Sequence, residues 1–296
     1  MSDLPYKVIT ATQRTPEWYK ARRGRATASR FKDIIATAKT PKRDAEGNKY
    51  YPYLASRETY MRQLVVERIY GSSYERDVFI TEAMKWGMMN EDVARTQYML
   101  RTGNKVQEEG FVQHLTLMAG CSTDGFVNAD GNLEIKSLVP ENHIFEIFWA
   151  AMRVLNDPDG DYKDLLPEDY KAQVQGQLWI TGREWCDFVG GDSRAPKGLD
   201  LYAVRVYRDD DYIAMLEQEV IKFLAEVDRM YRYFLRCLPT CSRICRNCGV
   251  TFIDKVYTCP DCDSNNTFAD KTLAPAELDL LSLTMPPVAA KDTTHE

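Results

Sequence analysis

The sequence predicts an α/β sandwich, a sheet covered by helices, followed by a small cysteine-rich module. Three observations carry that expectation. Hydrophobic periodicity runs along the chain in the order helices, strand meander, helix, two strands, helix. Residues 105–136 break into short alternating runs, the last a hairpin with Ala129-Asp130-Gly131-Asn132 as its turn. Near the C-terminus stand two Cys-x2-Cys pairs, Cys245/Cys248 and Cys259/Cys262, separated by ten residues.

At 296 residues the chain has room for one large domain and an accessory module, and its ordinary apolar (44%) and charged (28%) fractions exclude disorder throughout. No apolar run approaches the roughly 18 residues of a membrane span, and the N-terminus lacks a signal-peptide pattern. A cytoplasmic location is therefore expected. The net charge is -6, yet residues 1–43 carry eleven Lys and Arg against three acidic residues. Such a local positive field suits a polyanion even on an acidic protein.

Taken in order, Thr15-Pro16 forms a cap and first turn for a short helix from Trp18 to Gly24. Ser29 then caps a second helix over Phe31–Ile35. That helix start, with Arg22 and the Thr27 and Ser29 hydroxyls beside it, makes a candidate phosphate site. Residues 37–53 read as loop. A helix over 54–70 places Leu54, Met61, Leu64, Val65 and Ile69 toward the core, and a longer one runs from about Asp77 to Leu100. On the latter, Trp86-Gly87 and Asn90-Glu91-Asp92 mark a face of close approach, with Glu91 a candidate acid. Strands are expected at Val106, Phe111-Val112 and Leu115–Ala119, then the hairpin. His143 lies in a loop before an apolar run to Trp149. A helix over Pro167–Thr181 sets Tyr170, Gln173 and Gln177 on one face. Strands Trp185–Val189 and Leu201–Tyr207 precede an amphipathic helix over 211–236.

Within the hairpin, Glu134 and Lys136 stand two apart on one strand and so share a face, with Asp124 opposite. Two carboxylates and an ammonium are costly to desolvate together unless a divalent cation or a phosphate belongs there. The cysteine pairs can each present two thiolates at about 2.3 Å from one tetrahedral Zn²⁺, as in a zinc ribbon. Cys237 and Cys241 stand outside that set, and an iron–sulfur alternative remains open; Cys121 and Cys186 read as reduced core residues. Domain expectations are thus 1–236 for the sandwich, 237–270 for the zinc ribbon and 271–296 for a flexible tail.

The ordered blocks Trp18-Tyr-Lys-Ala-Arg22-Arg-Gly24-Arg-Ala-Thr27-Ala-Ser29, Trp86-Gly87-Met-Met-Asn-Glu91-Asp-Val-Ala94, Ser122-Thr-Asp124-Gly125, Leu133-Glu134-Ile-Lys136 and Tyr170-Lys-Ala-Gln173-Val-Gln175 resemble the lambda-exonuclease, or YqaJ-type, branch of the PD-(D/E)XK nucleases. The resemblance implies a restriction-endonuclease-like fold, a mixed central β-sheet flanked by helices. It implies Mg²⁺ (one or two ions, with Mn²⁺ able to substitute) on Asp124, Glu134 and the Ile135 carbonyl. By the same resemblance Lys136 orients and helps deprotonate the attacking water, Glu91 adds a carboxylate, Gln173 is an active-site glutamine, and Arg22 with Ser29 holds a 5′-terminal phosphate. The implied activity is 5′→3′ digestion of double-stranded DNA from its ends by a ring-shaped, trimeric homo-oligomer. The single-stranded product passes to an annealing protein, in the host cytoplasm if the chain is phage-encoded. Thr123 replaces the family's proline before the acid, and the stretch Ser-Leu-Val-Pro-Glu-Asn after Lys136 has no arginine where some relatives place one near the phosphate. Two other readings are an endonuclease on the same core and a non-catalytic zinc-ribbon protein that binds nucleic acid or a partner.

Overall fold

Thr15 starts the first helix as its sequence demands. Its hydroxyl accepts a hydrogen bond from the Trp18 amide at 3.4 Å, and Pro16 occupies the first turn, where no N–H is needed. This computed structural model describes residues 6–71, 81–157, 166, 168–237, 242–245, 251–253 and 267–270. The chain divides into two compact units, Met1–Tyr60 with Asp77–Lys222, and Met61–Arg76 with Phe223–Glu296.

In chain order the first elements are β1 (Tyr6–Ile9), α1 (Pro16–Arg22), β2 (Ala26–Thr27), a 3₁₀ turn (Ala28–Arg30) and α2 (Phe31–Ile35). Ser29 lies inside the 3₁₀ turn and does not cap α2, which begins without a side-chain cap. The expected loop over 37–53 contains a hairpin, β3 (Lys42–Arg43) with β4 (Lys49–Tyr50). Asp44 closes it by accepting bonds from the Glu46 and Asn48 amides, at 3.1 and 2.7 Å. Then come α3 (Ala55–Tyr70) and α4 (Glu82–Thr102). Leu64 and Val65 are buried as expected, whereas Leu54, which precedes α3, is exposed.

The meander follows as β5 (Val106–Gln107), β6 (Phe111–His114), β7 (Ala119–Cys121), β8 (Gly125–Val127) and β9 (Gly131–Lys136). Of the strand expected over 115–119 only Ala119 is extended in a ladder. His114 Nδ1 accepts bonds from the Thr116 and Leu117 amides and folds residues 115–118 into a turn that exposes Leu115. His143 is helical, not in a loop. It opens a π-helical turn (His143–Phe148) between α5 (Pro140–Asn142) and α6 (Trp149–Asn156), where it is buried with Nε2 2.7 Å from the Leu199 carbonyl. The unit closes through α7 (Glu168–Thr181), β10 (Trp185–Gly191), β11 (Leu201–Tyr207) and the start of α8 (Asp210–Cys237).

Two sheets organise this unit. One has the order β1-β6-β7-β2, and the central one the order β11-β10-β9-β8-β5. The central sheet is mixed: β9 and β10 run parallel, while its other neighbours pair antiparallel. A parallel neighbour demands a crossover, which α5 to α7 provide. Leu133 and Ile135 of β9 join Ala94 and Tyr98 of α4 and Val189 of β10 in one apolar cluster. The other side of β9 faces α7. Gly176 lets α7 come close to the 3₁₀ turn and α2: a Cβ there would lie 2.4 Å from the Phe31 ring.

In the second unit, β12 (Ser242–Cys245) is the middle strand of an antiparallel sheet, β13-β12-β14, with β13 Thr251–Ile253 and β14 Thr267–Asp270. Cys245 ends β12, whereas Cys241, Cys248, Cys259 and Cys262 lie outside the described residues, as does the segment 271–296. Cys121 and Cys186, in the first unit, are free thiols and buried.

Candidate active site

The β8–β9 ladder ends at Gly125 opposite Leu133, and Asp124 stands just beyond it. Its amide donates to the Leu133 carbonyl at 2.9 Å, and its carboxylate Oδ2 accepts from the Ile135 amide at 2.6 Å. The amide and carbonyl of one strand residue leave on the same edge. The Ile135 carbonyl therefore points to the edge that Asp124 occupies, past the last rung of β8.

Glu134, from the other face of β9, is 3% exposed and accepts three side-chain donors. Gln173 Nε2 reaches Oε1 at 2.6 Å, Gln177 Nε2 reaches Oε2 at 2.5 Å, and Lys136 Nζ also donates to Oε1. The amide stripe expected on α7 thus closes onto the acid expected on β9. Gln177 also donates to the Ser122 carbonyl at 3.2 Å, tying α7 to the segment before Asp124. Burial, then the charges of Glu134 and Glu91, push the Asp124 carboxyl well above the ordinary carboxylate range. Burial also opposes the charge on Lys136, but Glu134 and Asp124 outweigh it and hold the ammonium above its usual value.

Glu91 reaches the site from α4. Arg14 Nη2 lies 2.6 Å from one carboxylate oxygen and Arg95 Nη2 3.0 Å from the other. Arg95 is itself buried, pairs with Asp92, and donates to the Asp124 carbonyl at 3.1 Å. Of the face expected at Trp86-Gly87 and Asn90-Glu91-Asp92, the close approach is at Asn90 and not at Gly87. Gly87 faces open space, whereas Asn90 donates to the Gly191 carbonyl at 2.9 Å. A Cβ on Gly191 would lie 2.6 Å from Ala94 Cβ.

Arg22 stacks over the Trp18 ring at 4.1 Å and donates to Ser122 Oγ at 3.2 Å, which also accepts from Trp18 Nε1 at 2.9 Å. It is therefore linked to the Asp124 segment through Ser122. Thr27 pairs with Gly120 across β2 and β7, and its hydroxyl lies 3.4 Å from that of Ser29. These two hydroxyls form a small polar group, but α2 has only five residues and Ser29 is not its cap, so the helix-end argument for a phosphate site does not hold. Sequence reading missed Arg14 and Arg95. Arg95 carried a signal, standing four residues after Glu91 on one helix. Arg14 carried none, since it meets Glu91 across 77 residues.

The donors fit a hard divalent cation. Asp124, Glu134 and the Ile135 carbonyl offer oxygen alone, as Mg²⁺ prefers. Burial first, and then the charges of Glu134 and Glu91, raise Asp124, and a bound cation would offset those charges. Among the described residues no three acidic, histidine or cysteine side chains converge as a ready metal cluster.

The model of the YqaJ-like viral recombinase domain matches residues 17–184. The crystal structure of an alkaline exonuclease, LHK-Exo, from Laribacter hongkongensis is similar to this chain, with a TM-score of 0.58 and 33% identity. The match covers 75% of this chain and 97% of that one. The structure of LHK-Exo in complex with dAMP matches at the same TM-score and coverage with 32% identity. A phage-related exonuclease from Haemophilus somnus 129PT, 12% identical with a TM-score of 0.51 over 71% of this chain and 96% of that one, shares the fold. Among curated proteins, none matches.

Proposed function

This chain belongs to the YqaJ-like viral recombinase domain family, and from that premise we propose that it is a Mg²⁺-dependent exonuclease of double-stranded DNA. It digests 5′→3′ from duplex ends and leaves 3′ single strands for an annealing protein. The observation that carries the reading is the constellation of half-buried Asp124, buried Glu134 and half-buried Lys136, braced by Gln173 and Gln177. Nothing about a folded core requires two carboxylates and an ammonium there, and their burial is costly.

In this reading Asp124, Glu134 and the Ile135 carbonyl hold Mg²⁺. When bound, the ion supplies Lewis-acid stabilisation of the charge that builds on a phosphodiester under attack by water. Lys136, held charged by Glu134, orients the attacking water and stabilises nearby negative charge. The two glutamines fix the Glu134 carboxylate so that it does not rotate away as charge develops. Arg22, with Thr27 and Ser29, receives the 5′-terminal phosphate, a task for which a planar guanidinium held against Trp18 is suited.

Digestion of linear duplex labelled at either end, in Mg²⁺ and in chelator, tests this. Loss of the 5′ label first, only in Mg²⁺, is the expected result. Attack from 3′ ends or cutting of closed circles would overturn it. The C-terminal Cys245, Cys248, Cys259 and Cys262 are proposed to hold a structural Zn²⁺ within 237–270, between a nuclease domain over 1–236 and a flexible tail over 271–296. Their spacing supports this, and stoichiometric iron in place of zinc would refute it. A ring-shaped homo-oligomer, trimeric as the family resemblance implies, belongs to the same proposal and is checked by light scattering. Among the described residues no helix is long and apolar enough to cross a membrane, and the host cytoplasm is the proposed location.

A further inference from the structure

Arg14 adopts φ 69°, a left-handed conformation shared, among described non-glycine residues, only with Asn128 in the hairpin turn. Asparagine tolerates that region readily; arginine does so only where its surroundings impose it. Here both neighbours are pinned. Gln13 donates to the Thr123 carbonyl at 2.8 Å, and Thr15 caps α1. The turn between them delivers the Arg14 guanidinium to Glu91.

The two arginines on Glu91 are unequal. Arg95 is 8% exposed and held by Asp92, Glu108 and the Asp124 carbonyl as well as by Glu91. Arg14 is 43% exposed and pairs with Glu91 from the solvent side. Between them they engage both carboxylate oxygens, so a cation drawn to Glu91 must compete with two guanidinium charges, of which Arg14 is the more exposed and the easier to displace.

We propose that Arg14 is a positioning residue that acts as an electrostatic latch. It neutralises Glu91 in the metal-free protein, yields that carboxylate when a divalent cation enters, and then pairs through its freed guanidinium with a phosphate of the DNA. The inference rests on the metal-dependent nuclease reading above. Its physical basis is competition: guanidinium and divalent cation seek the same carboxylate, and a guanidinium released beside the site finds a matching bidentate partner in a phosphodiester.

The test compares the unsubstituted protein with Arg14→Gly, which suits the left-handed backbone and removes the charge, and Arg14→Lys, which keeps the charge. Bound Mn²⁺ is counted without DNA, from the electron paramagnetic resonance of the free ion, and duplex affinity is measured separately in Ca²⁺. The Gly variant is expected to bind Mn²⁺ several-fold more tightly and duplex several-fold more weakly, with the Lys variant close to the parent. A residue with a merely structural role would not move the two affinities in opposite directions. If the parent binds no Mn²⁺, the nuclease reading fails and the latch with it. If the parent binds but the Gly variant binds equally or less well, the latch alone fails. Tighter Mn²⁺ with unchanged duplex affinity overturns the transfer of Arg14 to phosphate.

Discussion

The two faces of β9 are both largely covered and chemically opposite. Leu133 and Ile135 turn one way into the apolar cluster with Ala94, Tyr98 and Val189. Glu134 and Lys136, interleaved with them, turn the other way toward Gln173 and Gln177 of α7. Burying the first face is favourable by itself. Burying the second costs free energy that its hydrogen bonds only partly offset. One strand therefore carries two energetic signs: its α4 side stabilises the fold, and its α7 side holds a charge cluster that costs the fold free energy.

That division can be broken one face at a time. The largest expected effect is on the charged side. Asp124→Asn keeps an acceptor for the Ile135 amide but removes the charge that would ligate a cation. Single-turnover digestion of linear DNA in Mg²⁺ should fall by about 10³-fold or more, at or beyond the upper end for removal of one preorganised electrostatic group. Activity within about tenfold of the parent would mean that Asp124 does not carry the chemistry.

The apolar side should answer in stability instead. Leu133→Ala empties space in a fully buried cluster and should cost about 2–5 kcal/mol, read from denaturant midpoints. Its cleavage rate per folded molecule should stay near that of the parent. A large loss of rate with intact stability would show that the two faces are not separable.

The same contrast explains what the sequence revealed. Period-2 alternation places Leu133 and Ile135 opposite Glu134 and Lys136 with no tertiary information, so the hairpin and its charge cluster were legible. The stripe of Gln173 and Gln177 was legible for the same reason, helical spacing. What stayed hidden was set by tertiary contacts. Ser29 looks like a cap, yet Thr27 pairs with Gly120 in a strand and the chain re-enters helix only after a 3₁₀ turn. Leu115 and Met118 look like strand residues, yet His114 folds them into an exposed turn. Arg14 reaches Glu91 from a distant stretch whose many basic residues gave no reason to single it out.

The smallest expected effect is the one with the least intuitive sign. Burial, reinforced by Glu134 and Glu91, raises the Asp124 carboxyl in the folded protein, so the folded state holds that proton more tightly than the unfolded chain does. By linkage, the favourable contribution is complete below the unfolded value of about 3.9 and is lost as pH rises through the higher folded value. Asp124→Asn lacks this loss. In chelator the variant and the parent should therefore show similar pH-dependent stability near pH 4, and the variant should become the more stable as pH rises toward neutrality. Saturating Mg²⁺ should narrow or reverse the gap, because only the parent gains from binding the ion through Asp124. Thermal melts across pH, with and without Mg²⁺, read both arms. If the variant is no more stable than the parent in chelator at neutral pH, the charge cluster on this face of β9 costs the fold nothing, and the contrast between the two faces loses its energetic meaning.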